Sequence, residues 1–392
     1  MTQPRHVFAL ADDLTGALEV GAKFSTSGLR SLVQTDVMRP LESDVQCLCL
    51  DAELRHLDAP ECEARTRELV SRATKGNRRS LYLKTDSTLR GQIGAQFKAA
   101  LSACPDRAIL YVPAYPRLGR TVREGLLYVH GTPVEHTAFA NDPITPVNES
   151  CLRAMISRRV EPPVHVVHPR ELPARLEHGV YICDGESDPD IDAAARYAIA
   201  DDTVIVAGPA AIAEALARSI GSADALEPQW PSVRSCLVVN GSKHPNSEEQ
   251  CRRAHAAGWP AMRLDDLRNT PDLTNTWSVL DLEGVSEQNS FARSAEIGRL
   301  LRHFVARWHP DALMIIGGDT CYGFLKALGE PDLHPVGEVR DGVPCSWIRG
   351  DALPSRDLCF ISKAGGFGSP DLLMSIKTIF DRGSSRRISS RS

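Results

Sequence analysis

A chain of 392 residues, with 42% hydrophobic and 24% charged residues, has the size and composition of an ordinary globular protein with room for two cores. Its formal net charge of −5 provides no basic field, so we expect neither nucleic acid nor an anionic membrane as a partner. Apolar runs stay well short of the roughly 20 residues that span a bilayer, and the N-terminal run is too short for a signal peptide. We therefore expect a cytoplasmic protein.

Short apolar runs alternate with helical patterns through the first 220 residues. The helical patterns cover about 16–27, 60–74 and 91–103. The apolar runs predict strands at 6–11, 31–35, 45–50, 80–84, 108–114, 164–167, 180–183 and 203–208. Strands that alternate with helices at this spacing indicate α/β architecture with a largely parallel sheet.

The stretch 221–235 interrupts this alternation, with two prolines and no periodicity, and it predicts a linker. The alternation then resumes, with strands predicted at 236–241, 277–282, 312–318 and 358–366. We therefore predict two α/β domains with largely parallel sheets, at 1–228 and 229–381. The serine-rich, basic segment 382–392 contains almost nothing apolar, and we expect it to be a disordered tail.

The eleven cysteines are an odd number spread along the chain. Cys47 and Cys49 are the one close pair, and strand alternation places them on the same face. The sequence has no paired CxxC and no Cys/His run with zinc spacing, so we predict reduced core thiols and no protein metal centre.

Three predicted strands of the second domain end in glycine turns that lead into helices. Such a turn combines free backbone N–H groups with the positive end of a helix, which suits a phosphate. Neither GxxxxGK[ST] nor an early GxGxxG is present, which argues against a Walker-type ATPase and a standard dinucleotide fold. The predicted phosphate-binding residues are Ser242, Gly317, Gly318, Asp319, Thr320, Gly365 and Gly366.

Charged and hydroxyl side chains gather at strand ends in the first domain, where α/β proteins place their chemistry. Arginine suits a bidentate grip on a carboxylate or phosphate, whereas Asp, Ser and Thr suit sugar hydroxyls. The segment from Lys84 to Arg90 is anchored by apolar neighbours on both sides, so a freely solvated face is not expected there. A surface position is the default expectation for Arg55, and helix capping or turn formation is the alternative role for Asp12 and Asp13. Its residues are Asp12, Asp13, Arg55, Lys84, Asp86, Ser87, Thr88 and Arg90.

Five segments, spread in order over nearly the whole chain, resemble the signatures of the four-carbon acid sugar kinases, a family that includes threonate, erythronate and 3-oxo-tetronate kinases. The segments are ADDLTGA (11–17), KTDSTLRGQIGA (84–95), VPAYPRLGRTVREG (112–125), GGDT (317–320) and KAGGFGS (363–369). The resemblance implies an N-terminal acid-sugar-binding domain, a C-terminal ATP-binding domain and an active site in the cleft between them. Lys243–His244 departs from the small residues expected after Ser242.

By this resemblance, Asp12, Arg55 and the cluster from Lys84 to Arg90 would face the acid sugar, and the glycine turns would face ATP with Mg²⁺ bridging its phosphates. Arg90 and Lys84 are the expected partners of the substrate carboxylate. Asp12, Asp13 and Asp86 are unranked candidates for the base that accepts the hydroxyl proton. The expected partners are small molecules, and assembly into a homo-oligomer is left open.

Two other functions fit parts of the pattern. A non-catalytic nucleotide or metabolite sensor would keep the glycine turns but lose the acidic and basic groups of the first domain, and both sets are present here. A dehydrogenase of hydroxy acids would need a dinucleotide fingerprint, which the sequence lacks. A kinase is therefore the favoured prediction.

Overall fold

The computed structural model describes residues 6–75, 80–142, 144–221, 228–269, 276–282, 290–349, 353 and 357–389. The chain divides into two compact units. The first comprises 1–31 and 37–225, and the second comprises 32–36 and 226–392. Both units are α/β, which confirms the fold class predicted from the alternation of strands and helices.

The chain up to residue 221 contains eleven strands and six α-helices in its described part. The strands are β1 (Val7–Ala11), β2 (Ser31–Gln34), β3 (Cys47–Asp51), β4 (Ser80–Lys84), β5 (Ala108–Tyr111), β6 (Arg120–Arg123), β7 (Leu126–Val129), β8 (Thr132–Pro133), β9 (Val164–Val167), β10 (Val180–Cys183) and β11 (Val204–Gly208). The helices are α1 (Leu14–Thr26), α2 (Ala59–Thr74), α3 (Ile93–Ala103), α4 (Leu152–Ser157), α5 (Asp188–Ala200) and α6 (Ala210–Ile220).

The first unit is built on a parallel sheet in the order β3-β1-β4-β11-β5-β10-β9. Strands such as β1 are buried along their whole length, as expected for a parallel sheet with both faces covered. From β1 the chain moves first to one side, to β3, and then to the other side, to β4. The order therefore reverses between β1 and β4, and open α/β sheets bind ligands outside the carboxyl ends of the strands at such a point.

The described chain from residue 228 onward contains seven strands and five helices. The strands are β12 (Cys236–Asn240), β13 (Ala261–Met262), β14 (Trp277–Asp281), β15 (Ala312–Ile316), β16 (Leu333–Arg340), β17 (Val343–Ile348) and β18 (Leu358–Lys363). The helices are α7 (Pro245–Ala256), α8 (Asp266–Asn269), α9 (Ser290–Trp308), α10 (Gly318–Ala327) and α11 (Leu372–Ser389).

In the second unit, parallel strands run in the order β13-β14-β12-β15-β18. The antiparallel strands β17 and β16 extend this sheet beyond β18. The order reverses between β12 and β15, so this unit has its own switch point at the ends of those two strands. One strand comes from far back in the chain: β2 pairs antiparallel with β16 through Val33 and Leu333, and Thr35 Oγ1 donates to Pro331 O at 3.1 Å.

Some elements were absent from the sequence predictions. The β16–β17 hairpin contains Pro335 and half-buried polar positions, and strand β6 reads RTVR, so neither shows a continuous apolar run. Helix α11 continues to Ser389, into the segment for which composition predicted disorder, and 390–392 lie outside the described residues. Within the described ranges, no helix combines the length and the apolar character needed to cross a bilayer.

All eleven cysteines are free thiols, and all but the half-buried Cys151 are buried. Cys47 Sγ and Cys49 Sγ lie 3.6 Å apart, which confirms that these two side chains share a strand face.

Candidate active site

The carboxyl end of β1 places two aspartates at the switch point of the first unit. Asp12 is buried, and its backbone carbonyl accepts hydrogen bonds from the backbone N–H groups of Leu54 and Arg55 at 2.9 and 3.0 Å. Asp13 is the N-cap of α1, because its Oδ1 accepts from Gly16 N at 2.8 Å. The end of β1 therefore fixes both carboxylates and holds the loop after β3 against them.

Arg55 connects the carboxylates of this cluster. Its Nε and Nη2 each lie 2.8 Å from Asp12 Oδ2, and its Nη1 donates to Asp13 Oδ2 at 2.5 Å. Its Nη2 also lies 3.6 Å from Asp86 Oδ1. Arg55 is itself buried, so these are charge-assisted contacts shielded from water. The surface position expected by default for this arginine is therefore wrong, because the guanidinium is buried against the carboxylates.

Asp86 and Arg90 form a bidentate pair in the loop after β4. Arg90 Nε donates to Asp86 Oδ2 at 3.1 Å, and Arg90 Nη2 donates to Asp86 Oδ1 at 2.8 Å. Asp86 Oδ2 also accepts from the Thr88 backbone N–H and hydroxyl at 3.0 and 2.5 Å. Arg90 Nη1 lies 3.6 Å from Asp142 Oδ2. Both oxygens of Asp86 are therefore occupied by protein donors.

The backbone of this loop is strained at one non-glycine residue. Leu89 is buried and has φ +68°, in the left-handed region, and Gly91 follows with φ +88°. A Cβ at Gly91 would lie 3.5 Å from Arg55 Cα, so the loop packs against the backbone of Arg55. Left-handed non-glycine residues cost about 1–3 kcal/mol and cluster at functional sites.

Lys84, the last residue of β4, is buried beside the first turn of α1. Its Nζ donates to Thr85 O at 3.0 Å. A Cβ at Gly16 would come within 2.9 Å of Lys84 Nζ, so glycine at this helical position leaves the space that the ammonium group occupies. Ser87, in the loop between Lys84 and Arg90, is half-buried. The predicted cluster of the first unit is thus assembled at one end of β1, β3 and β4.

Burial and charge separate the candidate bases. Burial raises the pKa of Asp12 above its ordinary value by more than the Arg55 guanidinium lowers it. Burial also raises the pKa of Asp86, but Arg90 and Arg55 outweigh it and hold that pKa well below its usual range. Asp12 Oδ1 is buried and has no hydrogen-bond partner, whereas both oxygens of Asp13 and of Asp86 are taken.

Glu53 is a residue that sequence reasoning missed. It follows β3 with φ +46°, and burial, with the nearby Asp13 carboxylate, raises its pKa to about 7. Asp51, at the end of β3, is buried and its Oδ1 accepts from Glu53 N at 3.2 Å. The feature of the sequence that could have pointed to Glu53 is its place two positions before Arg55, in the segment DAELR.

In the second unit, the three glycine turns converge at the switch point. A Cβ at Gly241 would lie 2.0 Å from Thr320 Oγ1, and a Cβ at Gly365 would lie 2.0 Å from Ser242 Oγ. Gly317 has φ +114°, and a Cβ at Gly317 would lie 3.6 Å from Ser242 N. The turns after β12, β15 and β18 therefore contact one another. Gly241 and Gly365 must lack a Cβ for this approach, and the positive φ at Gly317 favours glycine there.

The turn after β15 leads into a helix whose first N–H groups have no side-chain cap. Helix α10 begins at Gly318 behind the N-cap Gly317, and Asp319 lies in its first turn. Gly318 and Asp319 are exposed and Thr320 is buried. A helix start of this kind has backbone donors available for an anion.

The loop after β18 is held by three side chains that the sequence did not single out. Lys363 Nζ donates to the carbonyls of Ala364, Gly365 and Phe367 at 2.9–3.0 Å, and burial lowers the pKa of Lys363 to about 8. Asn246 Nδ2 donates to the carbonyls of 366, 367 and 368, and Gln250 Nε2 to those of 367 and 369. With its carbonyls tied back in this way, the loop is fixed in position.

If the resemblance to the acid sugar kinases holds, Gly366→Val is expected to raise the KM for ATP about tenfold or more, the effect of overpacking a close contact, while leaving the KM for the acid sugar unchanged. Gly366 does not have a positive φ, so valine would not strain the backbone there. A Cβ would instead lie 3.2 Å from His244 Nε2, and valine would push its branch into the space in front of the loop. Steady-state kinetics with varied ATP measures the effect.

Gly366→Ala serves as the size control and is expected to raise the KM for ATP less, because the single Cβ can be absorbed by a small shift of His244. A folded Gly366→Val protein with unchanged ATP kinetics would remove this loop from the nucleotide site.

Comparison with known proteins matches both units. The family model described as a sugar-binding N-terminal domain matches residues 7–216, more than half of the chain. The chain belongs to this family. A second family model, a nucleotide-binding C-terminal domain, matches residues 268–373.

Two relatives of this chain are named as kinases. A D-threonate kinase from Bordetella bronchiseptica is 29% identical over 94% of this chain and 96% of its own length. A 3-oxo-tetronate kinase from Actinobacillus succinogenes is 22% identical over 92% of this chain and 96% of its own length. The resemblance to four-carbon acid sugar kinases predicted from the motifs is thereby confirmed.

Solved structures of similar chains share the fold. One from Salmonella typhimurium LT2, described as a putative tRNA synthase, has a TM-score of 0.76 at 18% identity and covers 94% of this chain and 98% of its own. One from Bordetella bronchiseptica, described as a domain of unknown function in a domain-swapped dimer with bound citrate, has a TM-score of 0.50 at 28% identity, covering 95% and 97%. At 18% identity, the Salmonella likeness shows the α/β fold alone.

Proposed function

We propose that this protein transfers the terminal phosphoryl group of ATP to a hydroxyl of a four-carbon acid sugar. The observation that carries the proposal is Asp12 Oδ1, a buried carboxylate oxygen without a hydrogen-bond partner at the switch point of a sugar-binding domain. Buried polar atoms are nearly always paired, so an unpaired one at a ligand-binding edge marks a place for a substrate group. A sugar hydroxyl supplies the missing donor.

Asp12 is the favoured base for the acceptor hydroxyl. The raised pKa brings this carboxylate closer to the operating pH, which favours proton transfer in both directions. Arg55 holds Asp12 through Oδ2 and leaves Oδ1 to receive the proton. Asp13 caps α1 and Asp86 orders the Arg90 loop, so their role is to position the site.

The converging glycine turns fit the phosphates of ATP. At Gly241 and Gly365 the absence of a Cβ lets the turns close on the hydroxyls of Thr320 and Ser242, and the start of α10 beside them has N–H groups without a side-chain cap. ATP supplies the phosphoryl group, and the residues of this unit hold and orient its phosphates. The hydroxyls of Ser242 and Thr320 would add donors.

No group of three or more His, Cys, Asp or Glu side chains in the described ranges is arranged to bind a metal ion. Mg²⁺ in kinases is held largely by phosphate oxygens and water, with one or two protein carboxylates. Asp319, exposed in the first turn of α10, is the residue that would offer this carboxylate.

A turnover screen tests the proposal. ATP consumption is measured with D- and L-threonate, D- and L-erythronate and their 3-oxo forms, and we expect at least one of these acids to be phosphorylated. If none is turned over while a longer aldonate is, the four-carbon assignment is wrong although the kinase class survives. If no acid is phosphorylated and ATP binds without turnover, the protein is a sensor.

Assembly into a homo-oligomer stays a prediction. Support comes from the Bordetella bronchiseptica structure of a relative, which is described as a domain-swapped dimer.

A further inference from the structure

We infer that Arg120, rather than Arg90, holds the carboxylate of the acid sugar, an inference that rests on the proposed kinase function. The first unit has to bind an anion at a site rich in aspartates. A carboxylate brought to Asp12, Asp13 and Asp86 is repelled unless a cation that they do not already neutralise is close by.

The two arginines of the predicted cluster already form ion pairs with aspartates of the protein. Arg90 gives Nε and Nη2 to Asp86, and its Nη1 faces Asp142. Arg55 gives Nε and Nη2 to Asp12 and Nη1 to Asp13. A substrate that took either guanidinium would leave a buried carboxylate unpaired, which is strongly unfavourable.

Arg120 is half-buried and forms no ion pair with any carboxylate of the described residues. Its Nη1 donates to the carbonyl of Leu118, two residues earlier. Its Nε is buried and has no hydrogen-bond partner. A guanidinium with a buried, unsatisfied N–H group is stabilised when a carboxylate binds, because its planar fork of N–H groups can donate to both carboxylate oxygens.

Arg120 follows β5, which ends at the same edge of the sheet as β4, because β11 lies between these strands and pairs with both up to their carboxyl ends. The turn that carries it also contacts α1, since Tyr115 Oη donates to Glu19 Oε1 at 3.4 Å. Burial lowers the pKa of Arg120, the Asp86 carboxylate raises it, and the Arg90 guanidinium lowers it. Asp86 and Arg90 are therefore the charged groups that act on it most, ahead of Tyr115. The turn that carries Arg120 therefore lies at the same edge of the first unit as the Asp86–Arg90 pair, whose charges act on it.

The turn that carries Arg120 is built to hold it in place. Tyr115 and Arg120 exchange backbone hydrogen bonds at 2.8 and 3.1 Å, and between them a short 3₁₀ turn ends in Gly119 with φ +72°. A Cβ at Gly119 would lie 2.3 Å from His130 Nδ1, so only glycine fits. A preorganised cation loses little entropy when a ligand binds.

Lys84, the other cation predicted for the carboxylate, is less suited to a ligand. It is 4% exposed, its Nζ donates to Thr85 O, and it is enclosed against Gly16. Its positive charge instead lowers the pKa of the Glu19 and Asp12 carboxyl groups, so it offsets negative charge inside the protein.

The test compares Arg120→Gln and Arg120→Lys with the wild type and with Arg123→Gln. Arg123 lies on the same strand, is exposed, pairs with Glu186 at 3.3 Å and packs on the ring of Tyr128, so it is a matched control. Binding of D- and L-threonate and D- and L-erythronate, each beside its neutral carboxamide, is measured by calorimetry without ATP. Turnover of the same compounds is then measured with ATP.

Arg120→Gln is expected to raise the Kd and lower the kcat/KM of the acid roughly 10- to 150-fold, the effect of losing a charge-assisted contact. The carboxamide should change less than twofold, so the preference for acid over amide collapses. Arg120→Lys should lose part of that preference, because it keeps the charge without the fork. Arg123→Gln should behave as wild type, and the KM for ATP should not change in any variant.

An Arg120→Gln protein that folds and still prefers the acid over the amide as the wild type does would overturn the inference. If Arg120→Gln fails to fold, an unchanged preference in Arg120→Lys overturns it. The proposed function can fail separately: a wild type that binds an acid sugar without phosphorylating it leaves the Kd comparison valid. A wild type that binds neither these four acids nor their 3-oxo forms overturns both.

Discussion

Asp12→Asn is expected to lower kcat about 10²- to 10⁴-fold, the usual contribution of a positioned general base. Asparagine has the shape of aspartate and can still accept hydrogen bonds from Arg55, so the pocket should stay assembled. It cannot take a proton at the oxygen that Asp12 leaves unpaired. Steady-state kinetics, with thermal unfolding to confirm the fold, measures the loss.

The pH profile of the wild type provides a second readout. A base must be deprotonated to act, so activity falls as the pH drops through the pKa of Asp12. Because burial raises that pKa above the ordinary value of an aspartate, the acidic limb of kcat should lie at a higher pH than an exposed aspartate would give. Asp12→Asn should abolish this limb.

Asp58→Asn is the control for Asp12→Asn. Asp58 caps α2 by accepting from Glu61 N at 2.9 Å, and asparagine caps helices as well as aspartate does. We expect unchanged kcat in this variant. A folded Asp12→Asn enzyme that keeps more than a tenth of wild-type kcat would show that another group accepts the proton.

Arg55→Leu is expected to lower the free energy of unfolding of the first unit by about 3–5 kcal/mol, the cost of breaking a buried ion pair by removing one partner. Arg55 contacts Asp12, Asp13 and Asp86, so three carboxylates lose a cation at once. Urea unfolding followed by hydrogen exchange of amides in β1 and β4 measures the loss where it occurs.

The effect of Arg55→Leu should depend on pH, and its direction follows from Asp12. The pKa of Asp12 in the folded protein is already raised by burial and rises further without the arginine. A carboxyl whose folded pKa is raised stabilises the fold at low pH, and that stabilisation is lost as the pH rises through the folded pKa. The deficit should therefore be larger near about pH 8 than near about pH 5.

Arg67→Ala is the matched control for Arg55→Leu, because Arg67 forms an exposed i,i+4 pair with Glu63 at 2.5 Å. Exposed pairs of this kind contribute about 0.3–0.5 kcal/mol. A loss below about 1 kcal/mol in Arg55→Leu, or one that does not vary with pH, would contradict a structural role for the buried cluster.

The strands that carry the site could be predicted because parallel strands are buried on both faces and appear as continuous apolar runs. That places Asp12 after β1, Lys84 at the end of β4 with Asp86 just beyond it, and the glycine turns after β12, β15 and β18. What the sequence cannot give is which charges pair, since the Asp86–Arg90 contact depends on the left-handed backbone at Leu89. Arg120, which we propose as the partner of the substrate carboxylate, was missed because it forms no ion pair with a carboxylate of the described residues and has no charged residue directly beside it in sequence to reveal it.

The hairpin β16–β17 shows a different limit. An antiparallel pair that contains a proline, half-buried positions and two irregularities of register has no apolar run to reveal it. The sign of φ at Gly366 could not be predicted either, because glycine adopts positive and negative φ about equally readily.

The strand β2 gives the second unit an unusual order of assembly. It is synthesised early, yet its partner β16 lies nearly 300 residues later in the chain. Thr35, just after β2, donates to the carbonyl of Pro331, 296 positions further on. Contacts of such long sequence separation form slowly, because a large loop must close before they contribute. On the ribosome, the edge of β2 that pairs with β16 therefore stays without that partner until most of the remaining chain has been translated.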